Sequence, residues 1–192
     1  MMENYNEIVD LVLIATTTSR RIERALFELG DTLYAKDPEI SIVNDSVYPL
    51  LYVFSRRIDP WTAFKLAVSE PLSNLERIIP VETIASIHIR NADDLAVIAD
   101  IVKKRIDLNN IKTSDIYVEV KPRRYYMMMN EKKVTKEVSR ILTRTLSLKL
   151  TRRSRYVAKI EDTRYGVVVS LMRKGYDRLS LWRSFVLGLR RT

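Results

Sequence analysis

Ile8–Thr16 (IVDLVLIAT) is almost continuously apolar and β-branched, the pattern of a strand buried on both faces. Past the polar Thr17-Thr18-Ser19, Ile22, Ala25, Leu26, Leu29 and Leu33 recur at helical spacing. This predicts a helix from about Ser19 to Lys36 with one apolar stripe against a sheet. Asp37-Pro38 ends it, because the residue before a proline resists the α region. Two short strands follow, near Ile40–Val43 and Val47–Phe54, with Asn44-Asp45-Ser46 as the turn between them. Asp59-Pro60-Trp61 has the form of a helix start: the carboxylate accepts from an orphan N–H, and proline at the first position needs none. That helix runs to about Ser69, where Glu70-Pro71 stops it. A helical turn around Leu72–Arg77 and the extended Ile78-Ile79-Pro80-Val81 complete a βαββα unit plus a strand, a ferredoxin-like α+β module.

The second half predicts a helix over Asn91–Ile106, capped by Asn91. Asp93 and Asp94 sit in its first turn and Lys103, Lys104 and Arg105 in its last, so both ends suit the helix dipole. A strand over Asp115–Lys121, a helix over Asn130–Leu148 and strands over Arg155–Glu161 and Gly166–Met172 come next, the last two joined by a hairpin at Asp162-Thr163-Arg164-Tyr165. The expected division is an N-terminal ferredoxin-like domain over 1–73, an α/β domain over 74–176 and an amphipathic tail over 177–192. In the tail, Leu181, Trp182, Phe185, Val186 and Leu189 fall near helical spacing, to pack back on the sheet or to meet a partner protein.

Composition removes several kinds of chemistry. No cysteine means no disulfide, no thiolate nucleophile and no cysteine-based zinc site. A histidine metal site or catalytic triad would hang on His88 alone. The four glycines are scattered, so neither phosphate-cradling glycine motif exists. No cofactor, no metal, no catalytic residue and no small-molecule substrate is therefore expected. The acidic start and short apolar runs point to a cytoplasmic protein with no membrane partner.

Charge changes the picture. Residues 1–96 hold 9 Lys/Arg and 15 Asp/Glu, whereas residues 97–192 hold 24 and 9. Such segregation points to a polyanionic partner: nucleic acid first, with an anionic membrane surface or a merely solvated face as the alternatives. Between Lys121 and Arg155 there are twelve Lys/Arg against only Glu131 and Glu137. On the predicted helix Lys132, Lys136, Arg140 and Arg144 form an i, i+4 ladder, with Lys133 beside it. Like charges at that spacing repel by a few tenths of a kcal/mol per pair, about 0.2–0.5. A polyanion lying between the side chains would relieve that repulsion. Lys121, Arg123 and Arg124 precede the helix, and Arg152, Arg153 and Arg155 follow it. Arginine's planar fork suits phosphate oxygens. Tyr125 and Tyr126 either pack under the loop or stack on an unpaired base. Met127-Met128-Met129 reads as flexible apolar filler. Glu161-Asp162 at the hairpin and Asp93-Asp94 at the helix start are accounted for by position, and His88 reads as a strand residue in the alternating Ala85–Arg90.

The order strand, Lys121-x-Arg123 loop, helix and YVAKIEDTRYGVVVSL hairpin resembles the THUMP domain, an RNA-binding module of tRNA-modifying proteins, over about Leu72–Arg173. The preceding unit resembles the ferredoxin-like domain that accompanies it. Asp59-Pro60-Trp61 followed by Arg77-Ile78-Ile79-Pro80-Val81 is similar to the stand-alone branch that assists N4-acetylation of tRNA cytidine. The resemblance implies an α+β protein that binds tRNA in the acceptor-stem region and presents it to a separate tRNA acetyltransferase. Other THUMP proteins carry a fused catalytic domain for which the sequence leaves no room after Thr192, in agreement with an adaptor. The alternative is a basic scaffold subunit of a protein or ribosome-assembly complex.

Overall fold

The computed structural model describes residues 10–109, 111, 115–146, 149–150, 153–179 and 181. The chain divides into two compact units, Met1–Val81 with Gly175–Thr192, and Glu82–Lys174.

In the first unit, β1 (Leu11–Thr16), α1 (Ile22–Tyr34), β2 (Ser41–Asn44), β3 (Leu50–Phe54), α2 (Pro60–Ser69) and β4 (Arg77–Pro80) follow the predicted order. The sheet runs β2-β3-β1-β4 with every pair antiparallel, the ferredoxin-like arrangement. Register is pinned by apolar rows such as Tyr52–Ile14–Ile79 across β3, β1 and β4, all fully buried. Ala25, Leu29 and Leu33 of α1 and Ala63, Phe64, Ala67 and Val68 of α2 are the buried residues of the two helices. Asp59 caps α2 as predicted, accepting from the Trp61 and Thr62 N–H groups at 3.0 and 3.1 Å.

The expected helical turn at Leu72–Arg77 does not form. Side chains elsewhere capture that segment's polar groups, Glu28 as acceptor and Thr17 as donor. The Glu28 carboxylate on α1 accepts from the Ser73 hydroxyl (2.6 Å) and the Asn74 N–H (2.9 Å), and the Thr17 hydroxyl donates to the Asn74 carbonyl. Burial raises the Glu28 pKa, but these bonds outweigh it and hold the carboxyl below its usual value. After the second unit the chain returns to this sheet. Arg178 bridges Arg77 of β4, and the Ile78 N–H donates to the Asp177 carbonyl at 2.9 Å, so the β4 edge is covered.

The second unit contains β5 (Thr83–Ala85), α3 (Ala92–Leu108), β6 (Asp115–Lys121), α4 (Glu131–Leu146), β7 (Lys149–Leu150), β8 (Tyr156–Thr163) and β9 (Gly166–Arg173). Its sheet order is β5-β9-β8-β6-β7, with β6 parallel to β7 and β8 and the other pairs antiparallel. Val118, Val120, Ala158, Ile160, Val169 and Leu171 meet Leu95, Ile98 and Val102 of α3 and Val134, Val138 and Leu142 of α4 in one core. The predicted capping of α3 by Asn91 is a full capping box, with Asp94 returning the bond. The β8–β9 turn is shorter than expected: only Arg164-Tyr165 lies outside the strands. Gly166 follows at φ +137°, and a Cβ there would lie 2.8 Å from Ile84 Cγ2 and 2.9 Å from the Ala85 carbonyl. Glycine thus lets edge strand β5 close on β9.

Candidate nucleic-acid interface

The basic positions of α4 fall on its outer side, as the sequence predicted. Val134, Val138 and Leu142 are buried, while Lys132, Lys133, Lys136, Arg140 and Arg144 are all exposed. Asn130 starts the helix by accepting from the Lys133 N–H at 2.9 Å. One rung of the ladder has an internal partner: Arg140 Nε donates to both Glu137 carboxylate oxygens, at 3.0 and 3.1 Å. That hydrogen bond, with the charges of Arg140, Arg144 and Lys136 around it, holds the Glu137 carboxyl below its usual value. Among the described residues Lys132, Lys133, Lys136 and Arg144 have no ion-pair partner. Lys121 lies 3.8 Å from Glu131, at the edge of pairing range and half-exposed.

The loop between β6 and α4 departs from expectation. Arg123 turns inward: its guanidinium lies 2.7 Å from Glu161 Oε2 and donates to the Asp162 carbonyl at 3.0 Å. Glu161 and Asp162 are not hairpin-tip residues. Both are in β8 and 1% or less exposed. The Asp162 carboxylate accepts from the backbone N–H groups of Arg123 (2.8 Å), Tyr125 (3.1 Å), Tyr126 (2.8 Å) and Met127 (3.3 Å). A buried anion of the chain itself therefore shapes the loop from within. Arg124, at φ +65°, is at the outward bend and is exposed, without an ion-pair partner among the described residues. The Glu161–Arg123 contact brings opposite charges together without hydrogen-bond alignment at Oε2, and burial, opposed by Arg123, pushes the Glu161 carboxyl up. Beside it, Lys159 Nζ, 2% exposed, donates to Glu119 at 2.8 Å.

Of the arginines past α4, Arg153 and Arg155 are exposed, Arg155 with its guanidinium 6.0 Å from the Tyr156 ring centre, and Arg152 lies outside the described residues. Tyr125 is half-buried. Met127 is fully buried and Met129 packs on the same core, as filler should, but Met128 is 61% exposed. His88 does not belong to a regular strand. In its segment Ile89 alone bridges, pairing with Met127, and the exposed His88 ring stacks on Tyr126. The sequence signal for Asp162 was its place beside Glu161 at the end of a mostly apolar stretch, where an unpaired carboxylate would be untenable. Among the described residues, no group of three or more His, Asp or Glu has the arrangement of a metal site, and no helix is long and apolar enough to cross a membrane.

The sequence matches no known protein family and no curated protein. Solved structures that share its fold include the following three. PH1313 from Pyrococcus horikoshii aligns with a TM-score of 0.61 and 12% identity, covering 84% of this chain and 54% of that one. A 4-thiouridine synthetase in complex with RNA and bound ATP aligns at 0.54 and 10%, covering 85% and 41%. TrmN from Thermus thermophilus aligns at 0.58 and 13%, covering 94% and 50%. The chain therefore spans 41–54% of the length of these proteins. The likeness carries the fold, an N-terminal ferredoxin-like module followed by an α/β THUMP-like domain.

Proposed function

We propose that this chain is a non-catalytic tRNA-binding protein of the cytoplasm, a specificity factor that presents tRNA to a separate cytidine N4-acetyltransferase. The observation that carries the reading is the exposed row of Lys132, Lys136, Arg140 and Arg144 on one flank of α4, with Lys133 beside it and only Arg140 internally neutralised. Such a row gains most from phosphates spaced along a backbone. An A-form stem, whose deep major groove hides the base edges, is bound through shape and backbone. A solved protein of like fold is a 4-thiouridine synthetase crystallised with RNA, which favours tRNA over an acidic protein as the polyanion. The acetylation step comes from the likeness of Asp59-Pro60-Trp61 and Arg77–Val81 to the stand-alone branch, and Asp59 does cap α2 in that arrangement.

Two measurements test this. A gel shift of the purified chain with total tRNA should show saturable binding, and binding only to acidic proteins would instead favour a scaffold role. Nucleoside mass spectrometry of tRNA from a strain lacking the protein should show loss of N4-acetylcytidine. Loss of another modification would retain the tRNA reading and replace the partner.

A further inference from the structure

The loop after β6 is tied to the segment before α3. The Ile89 N–H donates to the Tyr126 carbonyl at 2.7 Å, and the Met128 N–H donates to the Ile89 carbonyl at 3.1 Å. Ile89 and Met127 are fully buried, so the alternation of an extended chain sends His88 and Arg90 outward, and both are exposed. The His88 ring lies on Tyr126 with centroids 4.7 Å apart and planes 25° from parallel. Tyr126 is half-buried and packs against the core of this unit. Of the two readings the sequence left open for Tyr126, packing under the loop is the one that holds, and the aromatic surface that reaches solvent is that of His88. Arg90 stands two residues from His88 and Arg124 two residues from Tyr126. Both are exposed, and neither has an ion-pair partner among the described residues.

We propose that His88, stacked on Tyr126, is a platform on which an unpaired nucleobase of the bound RNA continues the stack while Arg90 and Arg124 meet its phosphates. The inference rests on the reading of α4 as an RNA surface and adds which part of the RNA this end of the surface takes. Every base has a π-face, so such a platform tolerates any sequence. A base inside a duplex already has neighbours on both faces, so the platform selects nucleotides that are single-stranded or turned out of a helix. The backbone pairing of Ile89 with Tyr126 and Met128 sets the ring before RNA arrives, so little side-chain freedom is lost on binding.

The test uses the full chain and two RNA hairpins with the same stem, one blunt and one with a short unpaired extension containing 2-aminopurine. The wild type should bind the extended hairpin more tightly and quench the 2-aminopurine fluorescence. His88→Ala should weaken binding of the extended hairpin at least about fivefold and abolish the quenching, with the blunt hairpin unchanged. His88→Phe, which keeps a flat ring and removes the imidazole nitrogens, should behave like the wild type on both. The inference is overturned if His88→Ala loses both hairpins equally or neither, if His88→Phe fails as Ala does, or if the extension brings no gain in the wild type. Blunt-hairpin binding in that last case leaves the RNA reading standing, whereas no binding of either hairpin removes both.

Discussion

Arg123, in the loop just after β6, reaches back to Glu161 of the neighbouring parallel strand β8, Nη2 to Oε2 at 2.7 Å, with the carboxylate 1% exposed and the guanidinium side chain 13%. An arginine that the sequence places at the head of a phosphate-binding loop therefore has its charge committed to the protein interior. Buried opposite charges recover in Coulomb attraction roughly what they lose in hydration, so the pair adds little net stability, but breaking it strands one charge.

Replacing one partner should therefore be far worse than replacing both. Arg123→Met should destabilise the fold by about 3–5 kcal/mol, and adding Glu161→Leu should restore at least about half of that in urea unfolding. Unfolding midpoints that fall equally in the single and double variants would show that the Arg123 bonds to backbone carbonyls matter more than the pair. The double variant should also keep tRNA affinity within about twofold, because its arginine does not face the solvent.

The same pair marks where sequence reading stops. Asp59-Pro60, the Asn91 cap, strand β6 and the outward basic row of α4 were legible because each is set by residues within a few positions. Strand β8 was legible as a strand, but not for what its charged residues do. YVAKIEDT is buried along nearly its whole length, and Lys159, Glu161 and Asp162 are tolerated there only through partners 35 to 40 positions away in sequence. At Leu72–Arg77 local propensity favoured a turn of helix, and the carboxylate of Glu28, 45 residues earlier, overrode it. Outward charge on a helix is a local property; inward charge on a strand is decided by the rest of the fold.

Salt dependence measures the footprint of α4. If Lys132, Lys133, Lys136, Arg140 and Arg144 neutralise about five phosphates, log K should fall against log salt with a slope of roughly −3.5 to −4.5. Lys136→Gln with Arg144→Gln should lower the magnitude of that slope by about 1.5 and weaken binding at low salt, with the thermal midpoint unchanged. A wild-type slope near about −1 would mean that the row does not meet phosphate.

In the first unit the Ser55 hydroxyl donates to Asp37 at 2.5 Å, and this bond, aided by the Glu39 N–H and the Arg57 charge, lowers the Asp37 pKa below its ordinary 3.8. A carboxyl with a depressed pKa when folded contributes stability above its unfolded value, lost as pH falls through the folded one. Thermal midpoints measured from about pH 5 down to about pH 2 should therefore fall more steeply for the wild type than for Asp37→Asn, so that the two converge in acid. Parallel curves would show that Asp37 titrates alike in both states.

Asp162 gathers four backbone N–H groups, those of Arg123, Tyr125, Tyr126 and Met127, into one buried carboxylate. Each charge-assisted bond is worth about 1.5–3 kcal/mol, and a buried donor without an acceptor loses its hydration as well. Asp162→Ala should therefore cost more than about 3 kcal/mol and leave these four amides to exchange with solvent much faster than those of α4. Asp162→Asn should do nearly as badly, since its amide nitrogen turns a donor toward donors. Because Arg124 reaches outward only while the loop keeps this course, both variants should also lose tRNA affinity under conditions where circular dichroism still reports a folded chain. Rapid exchange confined to the loop with tRNA affinity intact would mean that the phosphates are met by α4 alone.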